Sequence, residues 1–144
     1  MAARKATARW EGSMSEGGGS VGAASGAFER LPYSAQSRFG DGSGTNPEEL
    51  VGAAHAGCFS MALALALGDG GHPPETIDTE ATVHIVRDGD GFTINRIDLV
   101  TRGRVPGLDQ GGFEEAAQAA KENCPLSKAL AAVPQVTLEA TLEG

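Results

Sequence analysis

The sequence is poor in cysteine and in aromatic residues. It has 144 residues, of which two are cysteines, and aromatic residues make up 5% of the chain. The length suits a single domain over residues 1–144, with a core that can be buried without disulfides. Few aromatics and 21 glycines are typical of a compact, turn-rich chain of short strands and Ala-lined helices. In a cytoplasmic chain, two cysteines are expected to be reduced and to serve catalysis or redox sensing.

Positive charge is also scarce. Lys and Arg number 11 against 19 Asp and Glu, which gives a net charge of -8 and a sequence pI near 4.8. Nucleic acid is therefore excluded as a partner, because neutralising phosphates requires clustered basic residues. No basic helix or charge run indicates a membrane surface. The N-terminal residues lead into no apolar signal core, so we expect a cytoplasmic location rather than export.

Several well-known motifs are missing. The chain contains no Cys-x-x-Cys and no Gly-x-x-x-x-Gly-Lys-[Ser/Thr] phosphate-binding loop, which leaves thioredoxin-like and P-loop nucleotide chemistry without a basis. A zinc site would need about four ligands at recognisable spacing, and no such set is present. We therefore expect neither a cofactor nor a metal.

The most prominent segment is an almost uncharged run from residue 50 to residue 67. Asn46 is a suitable helix cap, Pro47 suits the first helical position, and Glu48 and Glu49 place negative charge at the positive end of the dipole. A helix that is apolar nearly all round is expected in a core. The run is long enough to raise the question of a membrane span, but its Gly, Ala, Ser and His content favours a buried helix.

The remaining segments predict an α+β fold. Alternation and turn residues predict three short strands before the long helix and a hairpin after it, with a bulge near Asn95 and Arg96. Two helices and a closing strand follow. The predicted strands are 7–10, 21–28, 34–39, 79–87, 92–105 and 136–143, and the later helices span 109–123 and 125–132.

The two cysteines differ in their local environments. Cys124 precedes Pro125 at a predicted helix start, where unpaired backbone N–H groups lower a thiol pKa. Cys58 lies in the middle of the long helix and would need a nearby cation, for which Arg38 is the nearest candidate before the helix. His55 shares a helix face with Cys58. A histidine satisfied in a core or cleft is a better interpretation of His55 than a thiol hydrolase or zinc site, because a mid-helix cysteine lacks an oxyanion hole.

Five segments of the chain closely resemble the osmotically inducible protein C (OsmC/Ohr) family, and in particular its OsmC branch. They are Ala-Arg-Trp-Glu-Gly at 8–12, Gln-Ser-Arg-Phe at 36–39, Gly-Thr-Asn-Pro-Glu-Glu-Leu at 44–50, Ala-Ala-His-Ala-Gly-Cys-Phe-Ser-Met-Ala-Leu at 53–63 and Asn-Cys-Pro-Leu-Ser at 123–127. Two cysteine motifs at matching separation make the resemblance specific, and it spans essentially the whole chain.

The resemblance implies a cytoplasmic stress-response thiol peroxidase that reduces organic hydroperoxides to alcohols. Cys58 would be the peroxidatic thiol and Cys124 the resolving thiol, joined in a redox-active disulfide. Arg38 would stabilise the thiolate and polarise the peroxide, and Glu48 would hold the guanidinium. The family also implies a dithiol reductant such as a lipoyl protein, and an OsmC-like fold in which antiparallel sheets wrap around long central helices in an interlocked homodimer.

The spacing within the long helix predicts how the active sites are built. Glu48 and Cys58 are ten residues apart, which is about 15 Å along a continuous helix. Unless the helix breaks at Gly52 or Gly57, the Arg–Glu pair would have to come from the other subunit of an isologous dimer. Two alternatives to an enzyme remain open. One is a non-catalytic dimer that senses oxidants or binds an apolar ligand, and the other is a structural dimer with inert thiols.

Overall fold

The computed structural model describes all residues from 1 to 144. It contains two small three-stranded sheets and four helices, which confirms the predicted α+β class. The chain divides into two compact units, Met1–Leu50 and Val51–Gly144.

The unit Met1–Leu50 contains an antiparallel sheet and a short helix. Strands β1 (Ala6–Glu11), β2 (Gly18–Ala23) and β3 (Leu31–Tyr33) pair in that order. The rings of Trp10 and Tyr33 contact each other across this sheet, with their centroids 5.3 Å apart. The short helix α1 (Ala35–Phe39) follows β3 directly.

Residues 34–39 were expected to form a strand, and that prediction is wrong. The Ser34 hydroxyl accepts a hydrogen bond from the Ser37 backbone N–H at 3.1 Å, and the Ser37 hydroxyl accepts one from the Ser34 backbone N–H at 2.8 Å. This reciprocal pair is a capping box, which starts a helix. Strand β2 also ends earlier than predicted, because the chain turns through Gly26 at a φ of +80°.

The long helix α2 (Pro47–Asp69) begins as predicted. The Asn46 side-chain oxygen accepts a hydrogen bond from the Glu49 backbone N–H at 2.8 Å. Helix α2 continues without a break through Gly52 and Gly57.

The unit Val51–Gly144 contains a second sheet and two further helices. Strands β4 (Thr76–Asp88) and β5 (Gly91–Arg104) form the predicted hairpin. The predicted bulge is confirmed: His84 pairs with Arg96 and Ile85 pairs with Ile94, so Asn95 has no partner on β4. The elements that follow are α3 (Gln110–Asn123), α4 (Pro125–Ala129) and β6 (Gln135–Leu142).

Strand β6 pairs with β5 in parallel. The expectation of antiparallel sheets therefore holds for the other strand pairs but not for this one. The physical reason is the connection, because β6 is reached through α3 and α4, and a helical crossover of that kind delivers a parallel strand. The resulting order is β4-β5-β6.

One face of α2 packs into the core of the second unit. Phe59 and Leu63 are fully buried with Ile97 and Leu99 of β5 and Phe113 of α3. Helix α3 lies so close to the sheet that a Cβ on residue 103 would lie 2.5 Å from the Phe113 ring, which explains the glycine there. Burying five such side chains contributes on the order of 10 kcal/mol of hydrophobic stabilisation.

The opposite face of α2 is exposed in the single chain. Residues at a spacing of three or four form this face: Ala54, Gly57, Met61, Leu65 and Gly68. Met61 is 76% exposed and Leu65 is 66% exposed. Burial all round the helix was expected, and within one chain the helix is buried on one side only. By length and composition alone, α2 is also the one helix apolar enough to span a membrane.

Candidate active site

The two thiols meet although they lie on different elements. Cys58 is half-buried in the middle of α2, and Cys124 is fully buried at the junction of α3 and α4. Their side chains are close enough for each to shift the pKa of the other. Both cysteines are free thiols in this structure.

The surroundings of the two sulfurs shift their pKa values in opposite directions. Burial and the hydrogen bond with Cys124 raise the pKa of Cys58, although the Leu126 backbone N–H opposes that shift. Burial would also raise the pKa of Cys124, but hydrogen bonds from Cys58, Ser127 and Leu126 outweigh it and lower the pKa. In the chain by itself, Cys124 is therefore the better thiolate, as its place at a helix start predicted. Cys58 needs a further positive charge to ionise near neutral pH.

An apolar cavity opens beside the Cys58 sulfur. Its volume is about 630 Å³. Met61, Ala62 and Leu65 of α2 form one wall, and Ala120 of α3 with Pro125 of α4 contributes to the other. A cavity of this size and character accommodates a small molecule with a hydrocarbon portion.

Arg38 and Glu48 form a second pair, within the unit Met1–Leu50. The Arg38 Nη2 donates to Glu48 Oε1 at 2.6 Å, and Nε lies 3.1 Å from both carboxylate oxygens. Glu48 is buried, whereas Arg38 is partly exposed. A guanidinium held along one edge by a carboxylate has its remaining N–H groups directed elsewhere in a fixed plane.

The loop between α1 and α2 holds this pair in place. The Ser37 hydroxyl donates to the Thr45 carbonyl at 2.7 Å, and the Asn46 side-chain amide donates to the Ser37 carbonyl at 3.1 Å. Gly44 adopts a φ of +112°, and a Cβ there would lie 2.5 Å from the Pro32 carbonyl oxygen. The sequence between Arg38 and Glu48 therefore fixes the positions from which the two side chains extend.

Arg38 also borders a hollow of its own. This hollow has a volume of about 260 Å³ and is lined by the side chains of Trp10, Met14 and Tyr33 among others. The Arg38 guanidinium carbon lies 5.2 Å from the Phe39 ring centroid, which is within the range of a cation–π contact. The cation thus has an apolar and aromatic border.

His55 has a partner that the sequence did not reveal. Its Nε2 lies 2.9 Å from the Ser127 hydroxyl oxygen, across 72 residues of sequence. His55 is fully buried, and its Nδ1 has no hydrogen-bond partner. Burial lowers the pKa of His55, so the ring is neutral near pH 7. The expectation of a satisfied core histidine is therefore met at one ring nitrogen only.

The four predicted site residues thus form two pairs, Cys58 with Cys124 and Arg38 with Glu48. The first pair can form a disulfide after one sulfur is oxidised, and the second can place a fixed cation at a reacting group. No group of three or more His, Cys, Asp or Glu side chains could hold a metal ion.

Comparison with known proteins connects the chain to a family. The family model described as "OsmC-like protein" matches residues 40–139. The chain is similar to the protein named peroxiredoxin OsmC from Escherichia coli, at 45% identity over 141 residues, which cover 98% of this chain and 97% of that protein. It is also similar to the organic hydroperoxide resistance protein of Xanthomonas axonopodis pv. citri, at 36% identity over 98 residues and 67% of each chain.

A solved structure has the same fold. The organic hydroperoxide resistance protein OhrB of Bacillus subtilis superposes with a TM-score of 0.72 at 29% identity, over 98% of both chains.

Proposed function

Because the chain belongs to the OsmC-like family, we propose that it is a cysteine-based peroxidase that reduces organic hydroperoxides to alcohols. The relatives' names support peroxidase activity in general. One observation carries the specific proposal: two neighbouring free thiols, one of which lines an apolar cavity.

Cys58 is the thiol that attacks the peroxide. Cys58 lines the cavity, whereas Cys124 is fully buried. The Cys58 thiolate forms a bond to the hydroperoxide oxygen that bears hydrogen, and the O–O bond breaks. The alkoxide leaves and takes up a proton to become the alcohol, and Cys58 is left as a sulfenic acid.

Cys124 then resolves the sulfenic acid. Its thiolate attacks the Cys58 sulfur, an S–S bond forms, and hydroxide leaves and is protonated to water. The proximity of the two side chains, each of which shifts the pKa of the other, supports this role for Cys124. An external dithiol, such as a lipoyl group, then reduces the disulfide and restores both thiols.

The cavity determines which peroxides react well. Its walls are mostly the aliphatic side chains of α2, α3 and α4, so a hydrocarbon tail gains free energy by leaving water. Hydrogen peroxide has no such tail and gains nothing from these walls. We therefore expect organic hydroperoxides to be the better substrates.

The cation for the Cys58 thiolate comes from a second copy of the chain. Helix α2 is unbroken, and the ten residues from Glu48 to Cys58 correspond to about 15 Å of axial rise. Since Arg38 is bound to Glu48 at the start of α2, we propose that it serves the Cys58 of another subunit and not its own. In an isologous dimer, Arg38 and Glu48 of each subunit complete the site of the other.

Peroxide treatment followed by thiol labelling tests these roles. Wild-type protein treated with one equivalent of tert-butyl hydroperoxide should lose both thiols, because a disulfide forms. Cys58→Ser should keep its Cys124 thiol, and Cys124→Ser should trap a sulfenic acid on Cys58 that reacts with dimedone. Rapid oxidation of Cys124 in Cys58→Ser would reverse the assignment.

Turnover distinguishes the enzyme from an oxidant sensor. With excess dithiothreitol, an enzyme consumes many equivalents of peroxide, whereas a sensor that is slow to be reduced consumes about one. A wild-type protein that stops after one equivalent would contradict the peroxidase proposal.

A further inference from the structure

Ser127 lies at the one position of α4 from which a side chain reaches back to the helix cap. Cys124 is the N-cap residue and Pro125 the first helical residue, so Ser127 is the third. In a capping box the side chain at the third helical position reaches back toward the N-cap residue. Consistent with this placement, the Ser127 hydroxyl is close enough to the Cys124 sulfur to lower its pKa.

The same hydroxyl contacts His55, and a serine has one proton to donate. If the Ser127 hydroxyl donates its proton to the Cys124 sulfur, it must accept a hydrogen bond from the His55 ring. If it donates to the His55 ring instead, it cannot stabilise a Cys124 thiolate, and the sulfur keeps its own proton. The direction of the His55–Ser127 bond thus decides which form of Cys124 is favoured.

The unpaired nitrogen of the His55 ring indicates the direction of the His55–Ser127 hydrogen bond. His55 Nδ1 is buried without any partner. A neutral ring carries its proton on one nitrogen, and a buried N–H without an acceptor is rarer in proteins than an acceptor atom without a donor. The proton therefore belongs on Nε2, which donates to the Ser127 oxygen at 2.9 Å.

We propose that His55 is a positioning residue for the resolving thiol: its Nε2–H orients the Ser127 hydroxyl so that this hydroxyl donates to the Cys124 thiolate. In this arrangement His55 acts through Ser127. The inference deepens the proposed function, because it assigns a residue to the resolving step.

Stabilising the Cys124 thiolate accelerates disulfide formation by less than the increase in the amount of thiolate. Each pH unit by which a thiol pKa falls toward the ambient pH increases the thiolate fraction about tenfold, but it weakens the nucleophile about threefold. The net gain is roughly threefold per pH unit. Loss of the His55–Ser127 contact should thus slow disulfide formation by a few-fold rather than abolish it.

The test measures the Cys124 pKa without any peroxide. In a Cys58→Ala background, Cys124 is the single thiol, and its ionisation follows from the ultraviolet absorbance of the thiolate against pH. Ser127→Ala should raise this pKa by roughly one pH unit, the effect of one hydrogen bond to a charged group. His55→Leu should raise it by a similar or smaller amount.

Two further variants separate positioning from mere packing. His55→Gln keeps an N–H donor at the end of a side chain of similar reach and should restore the lower pKa. The double variant His55→Leu/Ser127→Ala should match Ser127→Ala alone, because His55 acts through that hydroxyl. The proposal would be overturned if His55→Leu had the same Cys124 pKa as its parent, or if His55→Gln had the same Cys124 pKa as His55→Leu. Additive pKa shifts in the double variant would overturn it as well.

This pKa series is independent of catalysis, so its failure is distinguishable from failure of the peroxidase proposal. Ser127 is only half-buried, so Ser127→Ala should fold even if His55→Leu does not. His55→Gln is then compared directly with the parent. In the background that retains Cys58, slower resolution should increase the sulfinic acid found on Cys58 by mass spectrometry after repeated peroxide turnover.

Discussion

At the scale of single residues, Arg38 shows how one side chain can be held in a fixed orientation. Its Nε and Nη2 both face the buried Glu48 carboxylate, so the rest of the guanidinium plane cannot rotate freely. Burial and the bond with Cys124 raise the pKa of Cys58 in the single chain. A cation placed at that sulfur would work against both effects.

Arg38→Ala should therefore lower kcat/KM for an organic hydroperoxide by roughly 10²- to 10³-fold, the usual cost of losing one positioned charge donor. Without the cation, Cys58 ionises at higher pH, so the rate of this variant should keep rising with pH beyond the point where the wild-type rate levels off. Stopped-flow measurement of peroxide consumption against pH follows both effects.

Arg38→Lys and Arg9→Ala are the controls. Lysine keeps the charge but loses the two-point contact with Glu48, so kcat/KM should fall less for Arg38→Lys than for Arg38→Ala. Arg9 is an exposed arginine paired with Glu11, and its removal should leave the rate unchanged. An Arg38→Ala variant with the wild-type pH profile would contradict the assigned role.

The sequence identified the four candidate residues but not the residues that support them. Family motifs marked Arg38, Glu48, Cys58 and Cys124, and each has a chemically distinctive side chain. The contact between His55 and Ser127 spans 72 residues. Serine is common and no local spacing relates it to a distant histidine, so this contact became visible only once the chain was folded.

At the scale of elements, Asp98 joins the three strands of the second sheet. It accepts hydrogen bonds from Arg96 on its own strand β5 at 2.7 Å and from Thr137 on β6 at 2.5 Å. Its other oxygen lies 2.8 Å from His84 Nε2 on β4. The bonds from Arg96, Thr137 and His84 hold the pKa of Asp98 well below its usual range.

The lowered pKa of Asp98 determines how the free energy of unfolding depends on pH. A carboxylate whose pKa is depressed in the folded state stabilises the fold at every pH above its unfolded value, which is about 4. This stabilisation is lost as the pH falls below about 4 toward the folded pKa. Asp98→Asn should thus lower the free energy of unfolding at pH 7, and the difference from wild type should shrink toward pH 2.

Urea unfolding at pH 7 and at pH 2 measures this difference. Asp78→Asn, at an exposed aspartate on β4, is the matched control and should change little at either pH. A constant difference between Asp98→Asn and wild type across the pH range would show that packing, not charge, is responsible.

Helices and strands could be predicted from the sequence where the pattern that marks them runs over many residues. The β4–β5 hairpin and its bulge followed from alternation over many residues, and α2 from a cap and a long apolar run. Helix α1 was missed because five residues show almost no periodicity, and the capping box of Ser34 and Ser37 decides its form. The parallel pairing of β6 depends on the crossover through α3 and α4, which alternation within β6 does not record.

At the scale of the whole molecule, the exposed face of α2 bears directly on the proposed dimer. Large exposed apolar side chains in a row mark an interaction surface. Around Gly57 nothing lies within 4 Å of where a Cβ would be, so this part of the helix is open to close approach. A second copy of the chain is the occupant that the shared-site proposal requires.

The mass in solution tests this directly. Wild-type protein should elute in light-scattering chromatography at twice the 14.7 kDa mass of one chain. Met61→Glu should weaken the dimer, because a carboxylate is costly to bury in an apolar interface. Since Met61 also lines the cavity of Cys58, the peroxidase activity of this variant is interpreted only together with the dilution of wild type. Val86→Glu changes an exposed apolar residue on β4 and should alter neither property.

A wild-type protein of single-chain mass with full peroxidase activity would contradict the shared site. Activity that falls on dilution together with the dimer, in wild type and not only in Met61→Glu, would support it. This second measurement remains informative if the substituted protein does not fold.

The sequence separation of Cys58 and Cys124 has a further thermodynamic consequence. The proposed bond between them would close a loop of 66 residues. Closing a loop of that length removes enough freedom from the unfolded chain to favour the folded state by about 4 kcal/mol. By linkage, the free energy of forming the disulfide is more favourable in the folded chain than in the unfolded chain by the same amount. Each catalytic cycle would thus alternate between a more stable and a less stable protein, and the reductant must overcome this extra stability.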